Sequence, residues 1–355
     1  MRSEQLLATS PLLFGYRGRN GRLALVDARA GARFRLSDER VAQLVAAFLE
    51  PRSAADGEAA GFTLHELARA RDAGILVHAD DGETFGLWER SGWSRPAYLL
   101  FTQMDIPYED DPATNGGSSV AAATASRRST IEGYDFGGDR PARRRFGRGP
   151  AHELPVVDDV KPRLSSLTSR RSARTFSAAP PSVEQLAAVL RTAAAPLRSV
   201  IVDRGAQDPF LLLNSFYSWA HLFVVIQEVE GVAPGAYEYD PEGHALLRAA
   251  DPPEPAAVLV SVQGQRGVLG PGFVIFVVAD FRGYAWIYRH SRAYLHILVQ
   301  VGELGQELLT AATGAGLAGW TTPAVHESRA AAVLGLAADD STEVLSIVKL
   351  GRPRR

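Results

Sequence analysis

The chain has 355 residues, 46% of them hydrophobic, and 38 basic residues stand against 40 acidic ones. That length predicts two domains or one domain with an appendage, and the near balance of charge excludes a global pull toward nucleic acid or acidic membranes. The absence of cysteine excludes disulfides, thiolate metal sites and a cysteine nucleophile.

The N-terminus, MRSEQLLATSPLL, lacks the apolar stretch and cleavage site of a signal peptide. No apolar run is long enough to span a bilayer, so a soluble cytoplasmic protein is expected. Residues 1–97 read as a small α+β module. LALVD (23–27) and ARFRL (32–36) alternate as strands around the turn-like ARAG. Ser37 is placed to cap a helix with Val41, Leu44, Val45 and Phe48 on its apolar face. Thr63 and Glu66 form a capping box for a second helix that runs through Leu67 and ends near Gly74. A hairpin with two short helices is a winged-helix-like pattern, either a plain structural module or a peptide-docking one.

Residues 98–155 read as a linker or irregular excursion. PYEDDPATNGGSS is acidic and glycine-rich, whereas DRPARRRFGRGP is basic and broken by proline and glycine. Arg143, Arg144, Arg145 and Arg148 could grip a phosphate or an acidic peptide, or form a solvated charge run.

Residues 156–355 carry the main domain. Ser182 and Gln185 form a capping box after two prolines and open a helix, EQLAAVLRTAA. WAHLFVVIQEV (219–229) predicts a buried strand, and APGAYEYD turns into a second. AAVLVSVQGQ (256–265) fits helix or strand by period. FVIFVVAD (273–280), strongly β-branched and aromatic, predicts a central strand. RAYLHILVQVGELGQELLTAATGAG (292–316) predicts a long buried helix, of the kind found at subunit interfaces. A helix at AAAVLGL and a strand at VLSIVKLG (344–351) follow, which makes the class α+β.

Several motifs mislead. GAGLAG (314–319) has the spacing of a dinucleotide fingerprint, but a long helix precedes it where a strand is required, so its glycines read as a helix C-cap and turn. There is no P-loop, no H-E-x-x-H and no G-x-S-x-G. His290 and His296 do not share a helical face, so no metal site is expected.

The stretch SRRSARTF (169–176) concentrates guanidinium forks and hydroxyls suited to phosphate oxygens. It resembles the opening R-R-S-x-R-x-F motif of the flavin-dependent nitroreductase superfamily through Arg170, Arg171, Ser172, Arg174 and Phe176. NSFYSW (214–219) is similar to that family's segment at the flavin face. VEGVAPGAYEYDPEGHAL (229–246) resembles a segment of its SagB-type dehydrogenase branch, which includes the azoline oxidases. In the long helix Gly302, Gln306 and Leu308 match the branch, whereas Glu303 and Glu307 depart from it.

The resemblance covers about 160–352. It implies a three-layer nitroreductase-like fold with a mixed, antiparallel-rich sheet, and a homodimer holding FMN at the subunit interface. By resemblance Arg170, Arg171, Ser172, Arg174 and Arg352 would hold the FMN phosphate and Asn214 would bond the isoalloxazine. Gly316 and Gly319 would let backbone approach the ring. It also implies oxidation of thiazolines or oxazolines on a peptide, ribosomal or carrier-bound, with oxygen reoxidising the flavin and a cyclodehydratase as possible partner. The branch's catalytic lysine is missing. In YAWIYRHSRAY (284–294) alignment leaves Ile287 or Tyr288 at its position. Tyr288 is therefore the first candidate base, with a neighbouring cation to lower its pKa, His290 the second and His326 the third. Two other functions stay open: a flavin reductase acting on a small molecule, and a non-catalytic peptide-binding partner of a cyclodehydratase.

Overall fold

In the computed structural model the chain separates into two units, Met1–Glu109 and Asp110–Arg355. The structure describes residues 6–10, 13–17, 23–27, 33–35, 39–79, 142–157, 168, 170–204, 215–288, 292–337 and 341–354.

In the first unit, strands β1 (Leu7–Thr9) and β5 (Leu76–His78) pair antiparallel. β2 (Leu13–Arg17), β3 (Leu23–Asp27) and β4 (Arg33–Arg35) form a second antiparallel sheet. The expected hairpin is β3–β4, and β2 adds a strand to it. Helices α1 (Glu39–Ala47), α2 (Ala54–Ala59) and α3 (Leu64–Asp72) follow. Leu44 and Phe48 are buried with Leu7, Phe62, Leu67 and Leu76, because the periodic apolar residues of α1 and α3 share one face. Both halves of the Thr63–Glu66 capping box form, and Gly74 takes φ +73 just past α3. Ser37 lies outside the described residues. α2, capped by Ser53 and Asp56, was not foreseen, since its six residues bury only Gly57 and show no period.

The second unit is built on a seven-stranded sheet. Its strands are β6 (Ala151–Glu153), β7 (Ala220–Glu228), β8 (Gly235–Asp240), β9 (Ala245–Ala250), β10 (Gly272–Asp280), β11 (Ala318–Thr322) and β12 (Thr342–Gly351), in the order β11-β12-β10-β7-β8-β9-β6. Every pairing between these strands is antiparallel. Among the described residues, parallel bonding is confined to the bridges Ser172–Gly319 and Ser182–Glu230, so there the expected mixed character reduces to those two points.

Alternation on β10 splits the core into two layers. Phe273, Ile275 and Val277 point to one face, where helices α4 (Val183–Ala193), α5 (Ala195–Arg198), α7 (Phe281–Ile287) and α8 (Arg292–Gly314) pack. Val274, Phe276 and Val278 point to the other, toward α6 (Pro255–Ser261) and α9 (Glu327–Val333). Helices on both faces of one sheet make the three-layer α+β arrangement. The ambiguous segment after residue 255 is helical, as its proline at the first turn favours. Among the described residues no single helix is long and apolar enough to cross a membrane.

Residues 142–150 have no regular secondary structure, as expected, but β6 pairs with β9, and two of the four arginines ahead of it, Arg143 and Arg144, are not a solvated charge run, whereas Arg145 and Arg148 are exposed. Arg143 bonds the carbonyls of Ser218 and Ala220, the latter at 2.9 Å. Burial pushes its pKa down to about 10, which leaves it charged at neutral pH. Arg144 Nε bonds Asp280 Oδ2 at 2.9 Å, and Arg145 bonds Glu242 at 3.0 Å. The physical reason is supply of acceptors: the end of β10 and the turn into β7 carry buried carbonyls and a carboxylate that need cationic donors.

Candidate functional site

The arginine-rich stretch runs as an extended strap between two strand ends. Ser172 bridges Gly319, and the Ala173 amide donates to the Gly319 carbonyl at 3.0 Å. Further along, Phe176 bridges Pro353, and the Ser177 amide donates to the Arg352 carbonyl at 3.0 Å. The strap is thus registered against the start of β11 and the tail that follows β12. Glycine at 351 leaves room for it, because a Cβ there would lie 2.8 Å from the Phe176 ring.

Within this frame Arg170 is half-buried, and Ser172 and Arg174 are exposed. Arg171, also exposed, turns back on its own backbone and donates to the carbonyls of Thr168 and Arg170, both at 2.9 Å. The Arg174 guanidinium lies over Trp320, 5.7 Å from the ring centroid. Trp320 is fixed in turn by its indole N–H, which donates to the Gly267 carbonyl at 3.1 Å. Arg352 has its Nε shielded from solvent and without a hydrogen-bond partner. Five of the residues expected to hold a phosphate are therefore gathered along one strap and tail. Four guanidinium groups and a hydroxyl, with one buried, unanswered N–H among them, fit an anionic, acceptor-only group such as a phosphate ester.

The glycine turn beyond α8 closes this side. Gly316 takes φ +75, and the Leu317 amide reaches back to the Ala312 carbonyl at 2.8 Å, the pattern of a glycine C-cap. Gln185 links this turn to the strap's helix. Its carbonyl oxygen accepts from the Ser182 amide at 3.2 Å, and its Nε2 donates to the Ala315 carbonyl at 2.9 Å. Gly319 also has a packing role. A Cβ there would meet the Lys349 carbonyl at 2.3 Å and Leu350 Cδ2 at 2.4 Å, so close packing on β12 is what demands glycine. Asn214 and His290 lie outside the described residues.

Tyr288 stands at the C-terminal end of α7. Asp280 caps the other end, its Oδ1 accepting from the Arg282 amide at 3.1 Å and its Oδ2 from Arg144 and Arg282 at 2.9 Å each. Burial alone would raise the Asp280 carboxyl, but those bonds outweigh it and hold it below its ordinary value. Gly283 lets α7 dock, since a Cβ there would fall 2.0 Å from the buried Trp219 indole. Tyr284 is buried, and burial with the neighbouring Tyr288 pushes it up to about 12. Tyr288 is half-buried, with its ring 4.5 Å from that of Tyr284 and 6.4 Å, edge-on, from that of His296. His326 is exposed at the start of α9, away from both groups.

Sequence reasoning missed the buried ionic network beneath β7. His221 Nδ1–H donates to Glu238 Oε1 at 2.8 Å, and the Phe146 and Gly147 amides donate to Oε2 at 2.7 Å each. Burial and the charge of Arg143 push His221 down to about 4, so it is neutral. Burial opposes ionisation of Glu238, but the three donors keep it charged. The available signal was a His and a Glu inside otherwise apolar strands, where only a partnered polar group is tolerated.

A model described as the Nitroreductase family matches residues 167–352, more than half of the chain. The trifolitoxin operon protein TfxC of Rhizobium leguminosarum bv. trifolii is 29% identical over 262 residues, covering 68% of each chain. Among solved structures, one described as a candidate nitroreductase of Anabaena variabilis is 22% identical with a TM-score of 0.45. That likeness covers 57% of this chain, which spans only 41% of the other. A chain of the E. coli microcin synthetase McbBCD complex with truncated pro-MccB17 bound is 16% identical, with a TM-score of 0.41. It covers 76% of this chain and 98% of that one.

Proposed function

The chain belongs to the nitroreductase family, and on that footing we propose that it is an FMN-dependent dehydrogenase of the SagB type, oxidising azoline rings to azoles on a peptide. The observation that carries the cofactor reading is the strap and tail: Arg170, Ser172 and Arg174 beside the glycine turn, with the unanswered Arg352 Nε among them. These residues would hold the phosphate of FMN, and Arg171 would contribute less because its donors are already engaged. The peptide half of the reading is supported by the azoline-oxidase motifs, by the likeness to TfxC, and by a separate unit ahead of the family domain.

When bound, FMN would accept the hydride equivalent from the ring carbon and pass its electrons to dioxygen. The chain's own part is to position the ring and take a proton. Tyr288 would remove the proton α to the ring's carbonyl substituent, and loss of the adjacent hydride leaves an aromatic azole. Tyr288 packs beside His296 near the start of α8, whereas the phosphate residues gather past its end. Roughly 27 Å of helix separates them at about 1.5 Å per residue. The proposal therefore includes a homodimer in which Tyr288 of one copy serves the flavin of the other. Exposed Leu298 and Val299 on α8 support a subunit contact there.

The test is a visible spectrum of the purified protein with mass identification of the released cofactor, followed by aerobic incubation with a thiazoline-bearing peptide. Bound FMN and loss of two hydrogens from the peptide are expected. A protein that stays colourless with added FMN overturns the enzyme reading. Flavin without azoline turnover, but with NAD(P)H oxidation by quinones, replaces the substrate with a small molecule.

A further inference from the structure

β11 pairs only with the second half of β12, from Ala318–Gly351 to Thr322–Ile347. The first half of β12 has no β11 neighbour, and a cavity of about 680 Å³ opens there between β12, α9 and the starts of α7 and α8. One wall is aromatic: Phe281 and Tyr294 stack with centroids 5.7 Å apart and planes 22° apart. Ala331 and Leu336 make the wall on the α9 side. Glu343, from β12, and Glu327, from the first turn of α9, line the same space.

Neither carboxylate has a hydrogen bond or ion pair among the described residues. Burial, and then the charge of Glu327, push the Glu343 carboxyl up. Burial pushes Tyr294 up as well, helped by both carboxylates. Two like charges thus act on one half-apolar space whose lining, among the described residues, holds no cation to balance them.

The chemistry that satisfies all these surfaces is narrow. A guanidinium donates to carboxylates in its plane and lies flat on aromatic faces, and its methylene stem covers apolar surface. An ammonium offers no plane to stack. We propose that this cavity receives an arginine side chain of the peptide substrate, an inference that rests on the peptide-modifying reading above. It would set which peptide sequences the enzyme engages, separately from the ring it oxidises.

The experiment is calorimetric titration of the full-length, FMN-treated protein with acetyl-Gly-Arg-Gly-amide and with its citrulline isostere, which keeps the planar shape but loses the charge and replaces one donating NH2 with an accepting carbonyl. The arginine peptide should bind about tenfold more tightly, a difference weakened by added salt. Glu343→Gln and, independently, Glu327→Gln should each weaken it roughly fivefold with no change in melting temperature or flavin content. Equal binding of the two peptides overturns the proposal, as does a folded Glu343→Gln or Glu327→Gln protein that binds arginine unchanged. The outcome is distinguishable from failure of the enzyme reading, because flavin content and azoline turnover are read on the same samples.

Discussion

A guanidinium N–H shielded from water without an acceptor carries an uncompensated desolvation cost, and Arg352 is in that condition. An anionic ligand that accepts from it removes the cost and adds a charge-assisted bond. Arg352→Ala, and separately Arg170→Ala, should therefore weaken FMN by roughly 1.5–3 kcal/mol, about 10- to 150-fold in Kd. Flavin fluorescence titration of the cofactor-free protein measures this, and unchanged affinity in both variants removes the phosphate assignment. Tyr288 is tested by losing only its hydroxyl. Tyr288→Phe should retain FMN and lower azoline turnover on the order of 10²-fold, as expected for removal of a general base. Full activity in that variant would pass the role to another group.

At the scale of elements, the seating of α7 and of the 142–157 segment can be tested separately. α7 carries Tyr284 and Tyr288, and its seat is the contact of Gly283 with the face of Trp219. Gly283→Ala forces a methyl into that indole and should cost about 1–3 kcal/mol, read as a lower denaturation midpoint. The 142–157 segment is seated by Glu238, His221 and Arg143. The folded pKa of His221, about 4, lies below its unfolded value of 6.5, so the unfolded chain binds the extra proton between those limits. The stability His221 contributes is complete above about pH 6.5 and is lost as pH falls toward 4. Urea midpoints at pH 7 and pH 5 should fall more steeply for the native protein than for His221→Gln, which still donates to Glu238 but does not titrate. Equal slopes would mean that His221 takes up its proton equally in the folded and unfolded states.

For the whole molecule the decisive quantity is oligomeric state. Tyr288 and the phosphate residues sit at opposite ends of α8, and Leu298 and Val299 expose apolar surface along it. Leu298→Asp combined with Val299→Asp should convert a dimer to monomers in sedimentation, with loss of turnover, because buried carboxylates at a subunit contact are strongly disfavoured. A native protein that sediments as a monomer and still turns over would require Tyr288 to reach its own cradle.

Where local chemistry decides, the sequence alone was enough. The β-branched and aromatic run of β10, the capping boxes at Thr63 and Ser182 and the glycine C-cap of α8 are each specified by residues within a few positions of one another. Their physics is backbone satisfaction and side-chain periodicity. Only the tertiary structure decided what long-range pairing decides. It turned Arg143 and Arg144 from a charge run into buried donors, because their acceptors are supplied by residues more than seventy positions away. It gave Gly319 and Gly283 their reasons, in a strand and an indole that the sequence does not place beside them. It also left Glu343 and Glu327 facing one cavity, a juxtaposition created by β11 ending short of β12. Burial and partnership of charged groups depend on which elements meet, and that is a property of the packed chain rather than of any stretch of it.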